Sequence, residues 1–203
     1  MAVNLQKGQK VDLRKSDGST LRRAIVGLGW DEAEKSSGGG FLGGLFGGKK
    51  THNIDCDASA FVCKNGKLID INDVVYFGNL EHSSRAVRHA GDNLTGEGAG
   101  DDEQIFVDLE HMPIGYDKIV FVVNIYKAKE RNQTFGMIRN AFIRICDGEN
   151  NNELCRYNLS ENYDGMTAMI FGEIYLRNGQ WRFNAIGQAT TDNSIEELAR
   201  RFA

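Results

Sequence analysis

Between residues 91 and 103 the chain reads GDNLTGEGAGDDE, four glycines interleaved with the oxygen-bearing side chains of Asp92, Asn93, Thr95, Glu97, Asp101, Asp102 and Glu103. Five carboxylates in so short a loop repel one another, and hard oxygen donors of this kind suit calcium. The spacing is not that of an EF-hand. With Asp92 and Glu103 at the first and last ligand positions, Leu94, Gly96 and Glu97 fall where that frame needs two oxygens and a glycine. It is not a phosphate loop either, because GEGAG lacks the following Lys and Ser/Thr and its acids repel phosphate. A solvated acidic turn is the alternative. The alternation of glycine with mixed carboxylate, amide and hydroxyl donors favours an ion.

Two further places add carboxylates. Asp55 and Asp57 stand two apart at the start of an alternating segment, which sets both side chains on one face about 7 Å apart. Asp31 follows Gly27-Leu28-Gly29-Trp30 at the expected end of a strand, where a lone Asp is otherwise a turn residue. Other chemistry finds little support. Cys56, Cys63, Cys146 and Cys155 form no C-x-x-C pair and read as free buried thiols. His52, His82, His89 and His111 are scattered, with neither metal-ligand spacing nor an evident nucleophile partner.

The elements that must position these residues read as strands. Alternation or apolar runs mark residues 3–5, 10–13, 21–28, 54–63, 73–77, 104–109, 118–127, 136–147, 153–159, 167–177 and 180–188. The run KIVFVVNIYK at 118–127 is the most continuously apolar and is expected at the centre of a sheet. Asn65-Gly66 and Asn178-Gly179 have two-residue hairpin spacing, the first leading into a short strand at 67–69. Residues 78–90 read as a polar connection and 128–134 as a turn or short helix. Residues 194–202 form a helix with a Ser194/Glu197 capping box. The expected fold is all-β, an antiparallel β-sandwich with a short C-terminal helix, in one domain over 1–203.

Residues 32–52 interrupt this pattern. Seven glycines between positions 38 and 48 surround Phe41, Leu42, Leu45 and Phe46, which reads as a flexible insertion with a possible contact to a partner or membrane surface. The 203 residues are 41% hydrophobic with a net charge of -4 and a pI near 5.6, and no basic stripe suits nucleic acid. The start has no apolar signal-like run and no stretch approaches membrane-spanning length, so a cytoplasmic protein is expected.

VGLGWD at 26–31, DCDASAF at 55–61, GDNLTGEGAGDDE at 91–103, DKIVFVVNIY at 117–126, NAFIRI at 140–145 and TAMIFGEIYLRNGQWRFNAIGQ at 167–188 resemble the TerD family of tellurium-resistance and stress-response proteins. The resemblance covers the chain outside 32–52. It implies a β-sandwich holding one or two Ca2+ ions between the Asp-x-Asp strand and the acidic loop, in a bacterial cytoplasmic protein. By position it implies Asp55, Asp57, Asp92, Asn93, Glu97, Asp101, Asp102 and Glu103 as ligands, with Asp31 as the additional one read from the turn. Ala99 stands where the family loop often has an acid, which bears on how many ions are held. A non-catalytic calcium-binding module meeting other stress-response or tellurium-resistance proteins is therefore expected. The alternatives are a scaffold that contacts membranes or assembles through residues 41–46, and a metal-dependent hydrolase.

Overall fold

Period-two alternation builds two stacked sheets in the structure, a computed structural model that describes residues 2–32, 54–91 and 100–203. In chain order the strands are β1 (Val3–Leu5), β2 (Lys10–Asp12), β3 (Arg23–Glu32), β4 (Cys56–Lys64), β5 (Val74–Val75), β6 (Val87–His89), β7 (Glu103–Asp108), β8 (Tyr116–Ile125), β9 (Ile138–Asp147), β10 (Glu153–Asn158), β11 (Ala168–Arg177) and β12 (Gln180–Thr190). Two short helices, α1 (Ala128–Arg131) and α2 (Ile195–Arg200), complete the elements. The first sheet runs β1-β10-β9-β3-β7-β6 and the second β2-β12-β11-β8-β4-β5. Pairing is antiparallel except between β1 and β10, so the first sheet is mixed rather than purely antiparallel.

The inward faces meet in one core. Val26, Leu28, Ile105, Val107, Ile143 and Ile145 from the first sheet pack with Ala58, Val62, Ile119, Phe121, Val123 and Phe171 from the second. The central run behaves as its composition demands: β8 lies between β11 and β4 and is buried on both faces. Its outward residues Val120 and Val122 join Phe61, Cys63 and Ile170 in a second cluster, closed by Leu198 and Ala199 of α2. Phe202 meets the Phe61 ring edge-on at 5.7 Å.

Four local expectations are corrected. β3 does not end in a turn at Gly27; it continues to Glu32 with a register shift between Gly29 and Asp31, because β9 keeps pairing with it to the end. Asn65 and Gly66 adopt φ of 51° and 75°, as a two-residue turn requires. The chain then leaves after one bridge between Lys64 and Lys67 instead of forming a strand at 67–69, because Leu68 is drawn under the C-terminal segment and its N–H donates to Phe202 O. The 78–90 connection contains β6, a three-residue edge strand that alternation over so few residues does not reveal. The 73–77 segment keeps only Val74–Val75 as strand. Ser194 does cap α2, accepting from Glu197 N–H at 3.3 Å, while the Glu197 carboxylate reaches Asn193 N–H rather than that of Ser194.

All four cysteines are free and buried. Among the described residues no helix is long and apolar enough to cross a membrane. The insertion expected at 32–52 lies almost wholly outside the described residues. Its flanks meet, since Ile54 N–H donates to Glu32 Oε1 at 2.7 Å.

Candidate metal centre

The sequence-predicted acids that the structure describes gather at one end of the sandwich. The C-terminal end of β3 supplies Asp31, the approach to β4 supplies Asp55, β4 itself supplies Asp57, and the start of β7 follows Asp101 and Asp102 with Glu103. The described chain breaks off here at Glu32 and Gly91 and resumes at Ile54 and Gly100. Asp92, Asn93, Glu97 and Ala99 lie outside the described residues.

Two glycines in β3 make room for this arrangement. Gly27 pairs with Arg144 of β9 on one side and Gln104 of β7 on the other. The Asp101 carboxylate lies over it, so that a Cβ at Gly27 would sit 2.2 Å from Asp101 Cγ. Arg144 grips that carboxylate with two bonds, Nε to Oδ1 at 2.6 Å and Nη2 to Oδ2 at 3.0 Å, and Gln104 Nε2 donates to Oδ2 at 2.9 Å. The Asp101 hydrogen bond is the largest influence raising the Arg144 pKa above its ordinary value. Gly29 likewise leaves space for the Phe142 ring, which a Cβ would approach to 2.4 Å. A glycine inside a strand marks such a close approach.

Asp102 is held differently. Its N–H donates to Leu28 O at 2.8 Å and its Oδ2 accepts from Trp30 N–H at 2.6 Å, which ties the chain after residue 99 to β3. Burial pushes its carboxyl pKa up; the Trp30 bond opposes this, and the like charges of Asp31 and Asp101 add to the rise. Asp31 accepts from Asn140 Nδ2 at 2.7 Å. Together Asp31 and Asp102 line a cleft of about 500 Å3 on the outer face of the first sheet.

Glu103 faces the other way, into the gap between the sheets. Its Oε2 accepts from Ala58 N–H of β4 at 2.7 Å, satisfying an edge amide beyond the reach of the two-residue β5. His89 Nδ1 accepts from Gly91 N–H at 3.0 Å, so the ring proton is on Nε2, which donates to Glu103 Oε2 at 3.2 Å. Asp55 pairs with Arg131 of α1 at 3.3 Å. Asp57 stands on the outer face of the second sheet, since its neighbours Cys56 and Ala58 point into the core. The Cys56 thiol registers this crowd: burial pushes its pKa well up, and the charges of Asp57, Asp55, Glu103 and Asp102 add to the effect.

The acids thus form two groups joined through Asp102, one with Asp31 and Asp101 and one with Asp55, Asp57 and Glu103. Among the described residues, no three His, Cys, Asp or Glu side chains are grouped so that they could hold an ion by themselves. Sequence reasoning missed the supporting residues Arg144, Gln104, His89, Arg131 and Trp30. The two glycines of β3, which share one face of the strand, were the available signal for the first of these. Two of the histidines, read from the sequence as having neither metal-ligand spacing nor an evident nucleophile partner, are buried in hydrogen-bonded sets. Besides His89, buried His82 bonds Asp73 Oδ1 through Nε2 at 2.9 Å and Ser84 Oγ through Nδ1 at 2.7 Å. The serine is two residues away and also accepts Ala86 N–H at 3.2 Å, so the set fastens a turn.

Comparison with known proteins agrees with this arrangement of strands. The TerD domain model matches residues 1–202. Stress response protein SCP2 of Bacillus subtilis is 50% identical over 202 residues, covering all of both chains. Tellurium resistance protein TerD of Serratia marcescens is 43% identical over 189 residues, covering 93% of this chain and 91% of that one. The crystal structure of a Streptomyces coelicolor A3(2) homologue of telluride resistance protein (TerD) superposes with a TM-score of 0.64 at 18% identity, over 90% of this chain and 98% of that one, and supports the fold alone. The domain match over nearly the full length, with relatives of this identity and coverage, shows that the chain belongs to the TerD family.

Proposed function

We propose that this TerD-family protein binds calcium at the acidic end of its sandwich and works without catalysing a reaction, as a stress-response module whose bound ion sets the shape of a surface for partners. The observation that carries the reading is that Asp31 and Asp102 line one cleft beside Gly100, where residues 92–99 join the described chain. Burial pushes the Asp102 carboxyl pKa up and the like charges of Asp31 and Asp101 add to the rise, and a bound divalent cation would stabilise its charged form. The donor set is oxygen-only and fits a hard cation. Asp92, Asn93 and Glu97 complete it in this reading.

The supporting acids have a separate task. Asp101, gripped by Arg144, and Glu103, bonded to Ala58 and His89, fasten the strand end that follows the loop, and Asp55 braces α1 through Arg131. The bound ion supplies positive charge that holds the carboxylates together. With Asp101, Glu103 and Asp55 so engaged, the remaining donors are read as holding one ion or two. The names of the relatives, which are stress-response and tellurium-resistance proteins, make other proteins of those systems the partners to test.

Thermal melting of chelator-stripped protein with and without millimolar calcium tests the reading. One site at one hundred times its dissociation constant adds about 2.7 kcal/mol, and Asp102→Asn should remove much of that gain while leaving the chelated protein as stable as before or more so. Melting curves that coincide with and without calcium would leave only a solvated acidic turn.

A further inference from the structure

A second site lies on the outer face of the second sheet, beyond the end of α2. Where α2 covers this face it is apolar, with Phe61, Val120, Val122 and Ile170 beneath the helix. Further along the same strands the face turns polar at Ser59 and Asn124, which floor a cleft of about 650 Å3, a size ordinary for small-molecule sites. Phe77 and Tyr126 form walls and are 55% and 41% exposed. Phe77 is steadied by an edge-on contact with Tyr76 at 5.2 Å.

Two polar atoms in this cleft are buried without a hydrogen-bond partner. Ser59 is 1% exposed and its Oγ is unmatched. Asn193 Oδ1 is also unmatched, and the amide orientation is fixed because Nδ2 donates to Thr191 O at 3.0 Å and Glu197 Oε2 at 3.3 Å. Unmatched buried groups of this kind are few in folded proteins and each one calls for an explanation.

We propose that this cleft binds an uncharged polyhydroxylated ring, from a free sugar or from the ribose of a nucleoside. Asn193 Oδ1 requires a donor, while the Ser59 hydroxyl and the Asn124 amide both give and accept. Hydroxyl groups, which do both, answer all three. The exposed Phe77 ring suits the apolar C–H face of such a ring, and Tyr126, over which Arg131 and Lys127 lie at 5.1 and 5.5 Å, adds an aromatic wall. No surplus of cations favours an anion: the Lys127–Glu130 pair at 3.7 Å cancels one charge of each sign, which leaves Asp57 and Glu196 against Lys129 around the cleft. Asp57 lines this cleft as well as belonging to the acidic end, so the titration is run with chelator present to keep any ion away from it.

The experiment is an NMR titration of the full chain, following the amides of residues 59, 124, 126 and 193, with methyl α-D-glucopyranoside, adenosine and glucose 6-phosphate as probes. A saturable shift is expected with at least one neutral probe, with a dissociation constant in the millimolar range or tighter. Glucoside binding identifies a free sugar as the source, and adenosine binding alone identifies the ribose. Ser59→Ala, whose folding is checked by melting, should weaken the binding about fivefold or more, and Tyr126→Ala should weaken it too. The proposal fails if neither neutral probe saturates by about 20 mM. It also fails if glucose 6-phosphate binds as well as the neutral probes, or if Ser59→Ala leaves the affinity unchanged.

Discussion

Replacing Arg144 with Met tests whether the acidic end is held by the ion pair over Gly27. The substitution keeps most of the side chain's apolar length but removes both bonds to Asp101 and the 3.2 Å bond to Glu153. The Asp101 side chain is 1% exposed and would keep only Gln104 as a partner. Stranding one member of a buried pair costs roughly 3–5 kcal/mol. The surviving Gln104 bond and the 22% exposure of Arg144 place the expectation at the lower end, about 3 kcal/mol. In a domain of this size each kcal/mol moves the melting temperature by about 2–4 °C, giving a fall of roughly 6–12 °C. Circular dichroism melts in chelator measure it without interference from calcium. Asp101→Asn combined with Arg144→Met should recover much of the loss, because the stranded charge is gone. A single-variant loss below about 1 kcal/mol, the scale of an exposed ion pair, would refute the reasoning.

Acid should weaken the same region in a definable way. Burial pushes the Glu153 carboxyl up, but hydrogen bonds from Arg156 and Arg144 more than offset it, so its folded-state pKa lies below the ordinary 4.5. A depressed carboxylate contributes stability above its unfolded pKa and loses it as pH falls through the folded value, so Glu153→Gln should flatten the stability decline between about pH 5 and pH 2; an unchanged slope in urea denaturation across that range counts against the pairing. Because Ile54 N–H bonds Glu32 Oε1, residues 35–50 can be replaced by a short Gly/Ser turn with little change in stability, a doubling of loop length being worth only about 0.6 kcal/mol. A drop of several kcal/mol would show that Phe41 and Phe46 contribute to the core.

The fold was legible because period-two alternation in long strands such as β9 and β12 survives any tertiary context that keeps one face buried, and because the continuous apolar run of β8 marks a strand buried on both faces. Short edge strands were not: β6 spans three residues, and its place depends on pairing with β7, about fifteen residues further on. The turn expected after Gly27 failed for a related reason. Glycine there serves the approach of the Asp101 carboxylate and not a change of direction, and that approach depends on Arg144, which is distant in sequence. The acids themselves were visible as residues. Which of them face an ion and which grip the protein was not, because Ala58 N–H, His89 and Arg144 are brought to Glu103 and Asp101 only by the stacking and register of the sheets.

Trp30 provides the most direct test of the central claim. Its backbone N–H bonds Asp102, and its side chain packs against the core next to the cleft that Asp31 and Asp102 line, whereas the other tryptophan, Trp181, donates through its indole to Leu109 O. Terbium, a luminescent oxygen-seeking stand-in for calcium, should therefore show emission sensitised by Trp30 when added to chelator-stripped protein. Calcium should quench that emission by displacement, and Trp30→Phe should abolish it without abolishing the heat of calcium binding. Absence of sensitised emission together with absence of calcium heat would contradict a calcium site at this end of the sandwich.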